Sequence, residues 1–115
     1  MKVRMSDDFK VAYKRLKKRH RSLEADFERL LLSLMGNPNQ GVELIDGVRK
    51  IRLAIRSKRR GRSGGARVII RARIVEDELQ LIYIYDKADF VGDGNLYVFT
   101  ERSGDQVAVL SGDGR

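Results

Sequence analysis

Ala66-Arg67-Val68-Ile69-Ile70-Arg71-Ala72-Arg73-Ile74-Val75 is the stretch that decides the fold. Ala66, Val68, Ile70, Ala72 and Ile74 occupy one set of alternate positions; Arg67, Ile69, Arg71, Arg73 and Val75 occupy the other. Side chains of a strand point to opposite faces in turn, so this segment reads as a strand with one apolar face and one mainly arginine face. A sheet built around it is expected to be covered on one side and cationic on the other.

Downstream, Glu76-Asp77-Glu78 reads as a solvated turn, and Leu79 to Tyr85 is apolar on both faces, as an interior strand would be. Upstream, residues 48–55 also alternate. Arg49, Ile51, Leu53 and Ile55 share one face, and Val48, Lys50, Arg52 and Ala54 the other. Between the two strands, Arg56 to Gly65 is a glycine-rich basic turn that cannot be core. Further upstream the period changes to that of a helix. Phe9, Ala12, Tyr13 and Leu16 predict an amphipathic helix over 7–20, with Ser6 as its N-cap and Asp7 and Asp8 against the positive end of its dipole. Leu23, Phe27, Leu30, Leu31 and Leu34 predict a second helix, with Ser22 as N-cap and a stop at Gly36-Asn37-Pro38. Met1 to Met5 reads as a short strand, and 37–47 as a polar connector. The expected architecture is α+β: an N-terminal strand and a helical hairpin packed on one face of a small antiparallel β-sheet.

Residues 91–115 read differently. Val91 to Asn95 is a loop, Leu96 to Thr100 and Gln106 to Ser111 read as short strands, and Gly112 to Arg115 as a fraying end. The expected organisation is a domain over 1–90 with a divergent tail over 91–115, placed on the same domain as a short β-hairpin.

Charge follows the same division. Residues 1–75 carry 21 Lys/Arg and 7 Asp/Glu, a net +14; residues 76–115 carry 3 and 9, a net −6. Between Gly47 and Val75 there are 11 basic residues and no acid. Such a segment repels itself unless an anion neutralises it, which points to nucleic acid or an acidic protein. The 115 residues contain no Cys and one His, which excludes disulfides, a cysteine nucleophile and a structural zinc site with four N/S ligands. His20 reads as a solvated cation at the end of the first helix. No apolar run is long enough for a membrane helix, no signal peptide is evident and no glycine-rich nucleotide loop is present, so the expectation is a cytoplasmic protein without metal or small-molecule cofactor.

What remains is a cationic sheet face. Lys50 and Arg52 from one strand would stand beside Arg67, Arg71 and Arg73 from the next, with Tyr83 or Tyr85 from the third and Lys87 closing the group. Guanidinium groups fork onto phosphate, and tyrosine rings stack on unpaired bases. The loop Lys58, Arg59, Arg60 and Arg62 adds charge, and its glycines let the backbone approach a phosphate. The same set permits RNA cleavage: a 2′-hydroxyl attacks the adjacent phosphate, a lysine takes its proton and arginines stabilise the growing charge.

Taken in order, the short strand, the helical hairpin, Gly47-Val48-Arg49-Lys50-Ile51-Arg52, Lys58 to Arg62 with Ser63-Gly64-Gly65-Ala66-Arg67-Val68-Ile69, and Ile84-Tyr85-Asp86-Lys87 resemble the RelE-type toxins of bacterial type II toxin–antitoxin modules. The resemblance covers about residues 1–90. It implies the RelE-like microbial RNase fold, metal-independent cleavage of mRNA on the ribosome, arrest of translation and a cognate antitoxin that covers the cationic face. By position, it implies that Lys50 and Arg52 act as base and phosphate binder, that Arg67 stabilises the transition state and that Lys87 assists the leaving group. Arg71, Arg73, Tyr85 and the basic loop would hold RNA. Residues 88–96 lack the tyrosine that many such toxins stack on the substrate base, leaving Tyr85 or Tyr97 for that role. ParE-like toxins, which inhibit DNA gyrase and cut no RNA, share the fold and stand as the alternative, together with a catalytically weak RNA-binding relative.

Overall fold

The chain folds in the order β1 (Lys2–Met5), α1 (Asp7–Arg19), α2 (Leu23–Gly36), β2 (Val42–Ile45), β3 (Val48–Leu53), β4 (Ala66–Arg73), β5 (Glu78–Asp86), a 3-10 turn (Lys87–Asp89), β6 (Asn95–Phe99) and β7 (Gln106–Leu110). The structure is a computed structural model and describes residues 1–58, 65–89, 95–99 and 106–110. It is α+β, with both helices on one face of a five-stranded sheet of order β1-β5-β4-β3-β2. The β3–β4 and β4–β5 pairs are antiparallel, but β1 lies parallel to β5, so the sheet is mixed.

Ser6 shows how local sequence starts the assembly. Its Oγ accepts the Phe9 N–H at 3.0 Å, capping α1, while its own hydroxyl donates to the Ile82 carbonyl at 2.6 Å. One side chain thus closes the helix and fastens it to β5. Ser6→Ala removes both bonds from a buried position and is expected to lower stability by about 1–2 kcal/mol. A fall in the urea midpoint at unchanged slope would measure it; an unchanged midpoint would show that the cap carries no weight.

β2 departs from the expectation of a polar connector between α2 and β3. The signal was Asp46-Gly47: both adopt positive φ (38° and 80°), as a two-residue hairpin turn requires. Short strands on either side then pair, Val42 with Lys50 and Ile45 with Val48.

The main core lies between helices and sheet. Phe9, Leu16, Leu23, Phe27 and Leu34 pack on Ile51, Leu53, Val68, Ile70, Leu79, Leu81 and Ile84. In β5 the residues facing the helices change from odd (79, 81) to even (84, 86). A bulge explains the change: Ile69 pairs with Tyr83 but Ile70 with Leu81, leaving Ile82 as the extra residue.

The opposite face corrects the expectation of a plain cationic surface. Val48, Ile69, Ile82 and Tyr85 form a second buried apolar cluster there, and Arg67 is buried beside them at 3% exposure. β6 and β7 pair antiparallel into a separate two-stranded ribbon. The backbone of β6 approaches β5, and that of β7 approaches β2. Among the described residues, no helix is long and apolar enough to cross a membrane.

Candidate nucleic-acid interface

Strand register places the basic residues in rows across the far face. At the Gly65 end, Arg52 of β3 stands opposite Arg67 of β4, which stands opposite Tyr85 of β5. The next row is Lys50, Ile69 and Tyr83; the one after is Val48, Arg71 and Gln80. Tyr83 and Tyr85 stack at 6.3 Å between ring centroids. Lys87, half-buried, follows β5 at the same end and donates its N–H to the Gly65 carbonyl at 3.1 Å. The structure therefore brings Lys50, Arg52, Arg67, Tyr85 and Lys87 to one end of the sheet.

It separates the others. Arg73 lies six residues along β4 from Arg67, roughly 20 Å away at strand rise, and its guanidinium pairs with Glu76 at 2.9 Å. Arg71 lies nearer that end than the Arg67 row, and its guanidinium is 3.5 Å from the Asp46 carbonyl oxygen. Arg59, Arg60 and Arg62 lie outside the described residues.

Lys58 is not a solvated loop cation. Its Nζ sits 2.9 Å from Oδ1 of Asp86, a carboxylate only 1% exposed at the end of β5. Oδ2 of Asp86 is 2.9 Å from Nε2 of His20 and 3.4 Å from the Arg19 guanidinium, and Oδ1 also accepts the Ala88 N–H at 2.9 Å. Burial pushes the Asp86 carboxyl upward, but Lys58, the Ala88 N–H and His20 outweigh it and hold the group below its ordinary value. His20 is likewise no solvated helix-end cation: its side chain is 12% exposed and tied to Asp86. A carboxylate only accepts, so Nε2 carries the proton in that bond.

A second buried acid holds the neighbouring turn. Asp26 accepts the Arg56 N–H at 3.0 Å and the Ser22 hydroxyl at 2.6 Å, and pairs with Arg29. Ser22 makes no side-chain cap for α2; its Oγ instead accepts the Ser57 N–H at 2.8 Å. Arg56 to Lys58 is thereby fastened to α2 through Asp26 and Ser22, and to β5 and α1 through Asp86. On the other side of the basic segment, Gly65 has φ +74°, and a Cβ there would lie 2.5 Å from the Leu53 carbonyl oxygen. Glycine is needed for that approach to β3. Sequence reasoning singled out neither Asp26 nor Asp86 for these roles, because nothing local to an acidic residue tells that distant cations will enclose it.

Two surface hollows accompany these groups. The larger, about 700 Å³, lies along β1 and is lined by Lys2, Val3, Arg4, Glu76 and Glu78, away from the basic row. The smaller, about 230 Å³, lies between α2 and the end of β3 and is lined by Asp26, Arg29, Leu30, Arg52, Leu53, Ala54 and Arg56. Comparison with protein-family models and with characterised proteins finds no match to the chain.

Proposed function

We propose that this protein is a RelE-type toxin: a cytoplasmic, metal-independent endoribonuclease that cuts mRNA at the ribosome and is held in check by a cognate antitoxin. The observation that supports the reading is the juxtaposition of Arg52 and Arg67 directly across β3 and β4, with Lys50 one row away. Like charges opposite one another cost a sheet stability, so the arrangement favours an anion that neutralises them. Guanidinium forks match the non-bridging oxygens of a phosphodiester.

In the reaction, the 2′-oxygen bonds to the adjacent phosphorus and the bond from phosphorus to the 5′-oxygen breaks, leaving a cyclic phosphate and a 5′-hydroxyl. Lys50 in its neutral form takes the 2′ proton, and Lys87 supplies one to the departing 5′-oxygen. Arg52 and Arg67 stabilise the charge gathering on phosphorus-bound oxygens. Arg67 and Tyr85 are buried, at 3% and 8% exposure, so contact between them and RNA requires this face of the sheet to open.

Induction of the full chain in growing bacteria, with transcripts and protein synthesis followed together, tests the proposal. Cleavage of mRNA coinciding with, or preceding, translational arrest is expected. Intact transcripts with blocked DNA supercoiling would replace the reading with the ParE-like one.

A further inference from the structure

The hollow between α2 and β3 contains none of the groups just assigned to the chemistry except Arg52, yet it is built around cations. Arg29, Arg52 and Arg56, all exposed residues, line it around a floor that includes Leu30, Leu53 and Ala54. Asp26 is the acid present, and its carboxylate is already engaged by the Arg29 guanidinium, the Ser22 hydroxyl and the Arg56 N–H. It acts as a brace for Arg29, and the cleft keeps a net charge of +2 from these four residues. β2 pairs with β3 only as far as Lys50, so from Ile51 onward no strand pairs with this side of β3 among the described residues. A cleft of about 230 Å³ is smaller than the roughly 300–1,000 Å³ of pockets that enclose a small metabolite. Its size and charge suit a group that passes through it and leaves again.

We infer that the α2–β3 cleft, through Arg29, Arg52 and Arg56, binds a backbone phosphate of single-stranded RNA next to the one held at the Arg52–Arg67 pair. The inference rests on the RNA reading above and extends it: Arg52 borders both places, so a strand leaving the sheet row enters the cleft directly. Arg29, Arg52 and Arg56 are exposed whereas Arg67 is buried, so the cleft is the more accessible part of the path.

The test is binding of a uridine 12-mer by the full chain over a range of salt concentrations. Variants are Arg56→Ala, which keeps the N–H that Asp26 accepts, and Arg29→Gln, which keeps a donor for Asp26. Lys14→Ala, an exposed cation on α1, is the control. Each cleft variant is expected to weaken binding and to reduce the slope of log K against log salt by up to about 0.7, the value for one whole phosphate contact on a single strand; the control keeps the wild-type slope. Cleft variants that bind with wild-type affinity and slope would overturn the inference. So would wild-type protein that prefers a polyglutamate peptide to the RNA, which would assign the cleft to an acidic protein. Loss of slope in the cleft variants, in a protein that leaves ribosomal mRNA uncut, would uphold the cleft and remove the nuclease reading.

Discussion

Asp86→Ala is expected to destabilise the chain by about 3–5 kcal/mol, the cost of removing one partner from a buried ionic cluster. The carboxylate is 1% exposed and meets Lys58, His20 and Arg19, residues drawn from the β3–β4 connection and the end of α1. Without it, the half-buried Lys58 ammonium and the His20 ring lose their shared acceptor, and the end of α1 loses its tie to the β3–β4 connection. Asp86→Asn preserves shape and some hydrogen bonding, so it isolates the charge and should cost less than alanine. The pH dependence follows from the direction of the shift. The folded-state pKa lies below the unfolded value of about 3.9, so the contribution is fully present above that pH and is lost as pH falls through the folded value. Thermal melts of wild type and Asp86→Asn should therefore differ most near neutrality and converge in acid below about pH 4. Parallel curves down to pH 2 would show that the Asp86 charge does not stabilise the fold.

Arg67→Met is expected to separate stability from activity. Arg67 is 3% exposed, beside the apolar cluster of Val48, Ile69, Ile82 and Tyr85. Methionine has similar length and carries no charge, so it removes the guanidinium while keeping most of the side-chain volume. A cooperative melt shows that the variant is folded, and its activity is then read against wild type. If Arg67 stabilises phosphoryl charge as proposed, cleavage of ribosome-bound mRNA should fall about 10²–10³-fold, the usual cost of losing one such donor. A folded Arg67→Met protein that still cuts mRNA and arrests growth would exclude Arg67 from the chemistry.

The two helices and β3 to β5 were legible because their burial repeats at short period. Phe9-Ala12-Leu16 and Leu23-Phe27-Leu34 line the helix faces that meet the sheet, and Ala66-Val68-Ile70 the strand face that meets them. β2 was missed because its exposed Val42 and Ile45 carry no burial pattern, and its best signal was the Asp46-Gly47 turn. The row of Arg52, Arg67 and Tyr85 was legible as a face, since alternation puts those residues on one side of their strands. Which of them stand opposite one another was not, because that depends on register and on the bulge at Ile82.

Composition and periodicity alone determined that this is an α+β chain with an unusually basic middle and no thiol chemistry, and which strand face carries the arginines. Tertiary structure decided what becomes of each charge. Lys58 and His20 are drawn to Asp86, Arg29 to Asp26 and Arg73 to Glu76, while Arg67 is buried on the face away from the helices. The reason is physical: apolar alternation depends on neighbours two to four residues away. The state of a charge depends on solvent access and on partners that can lie 66 residues apart, as His20 and Asp86 do.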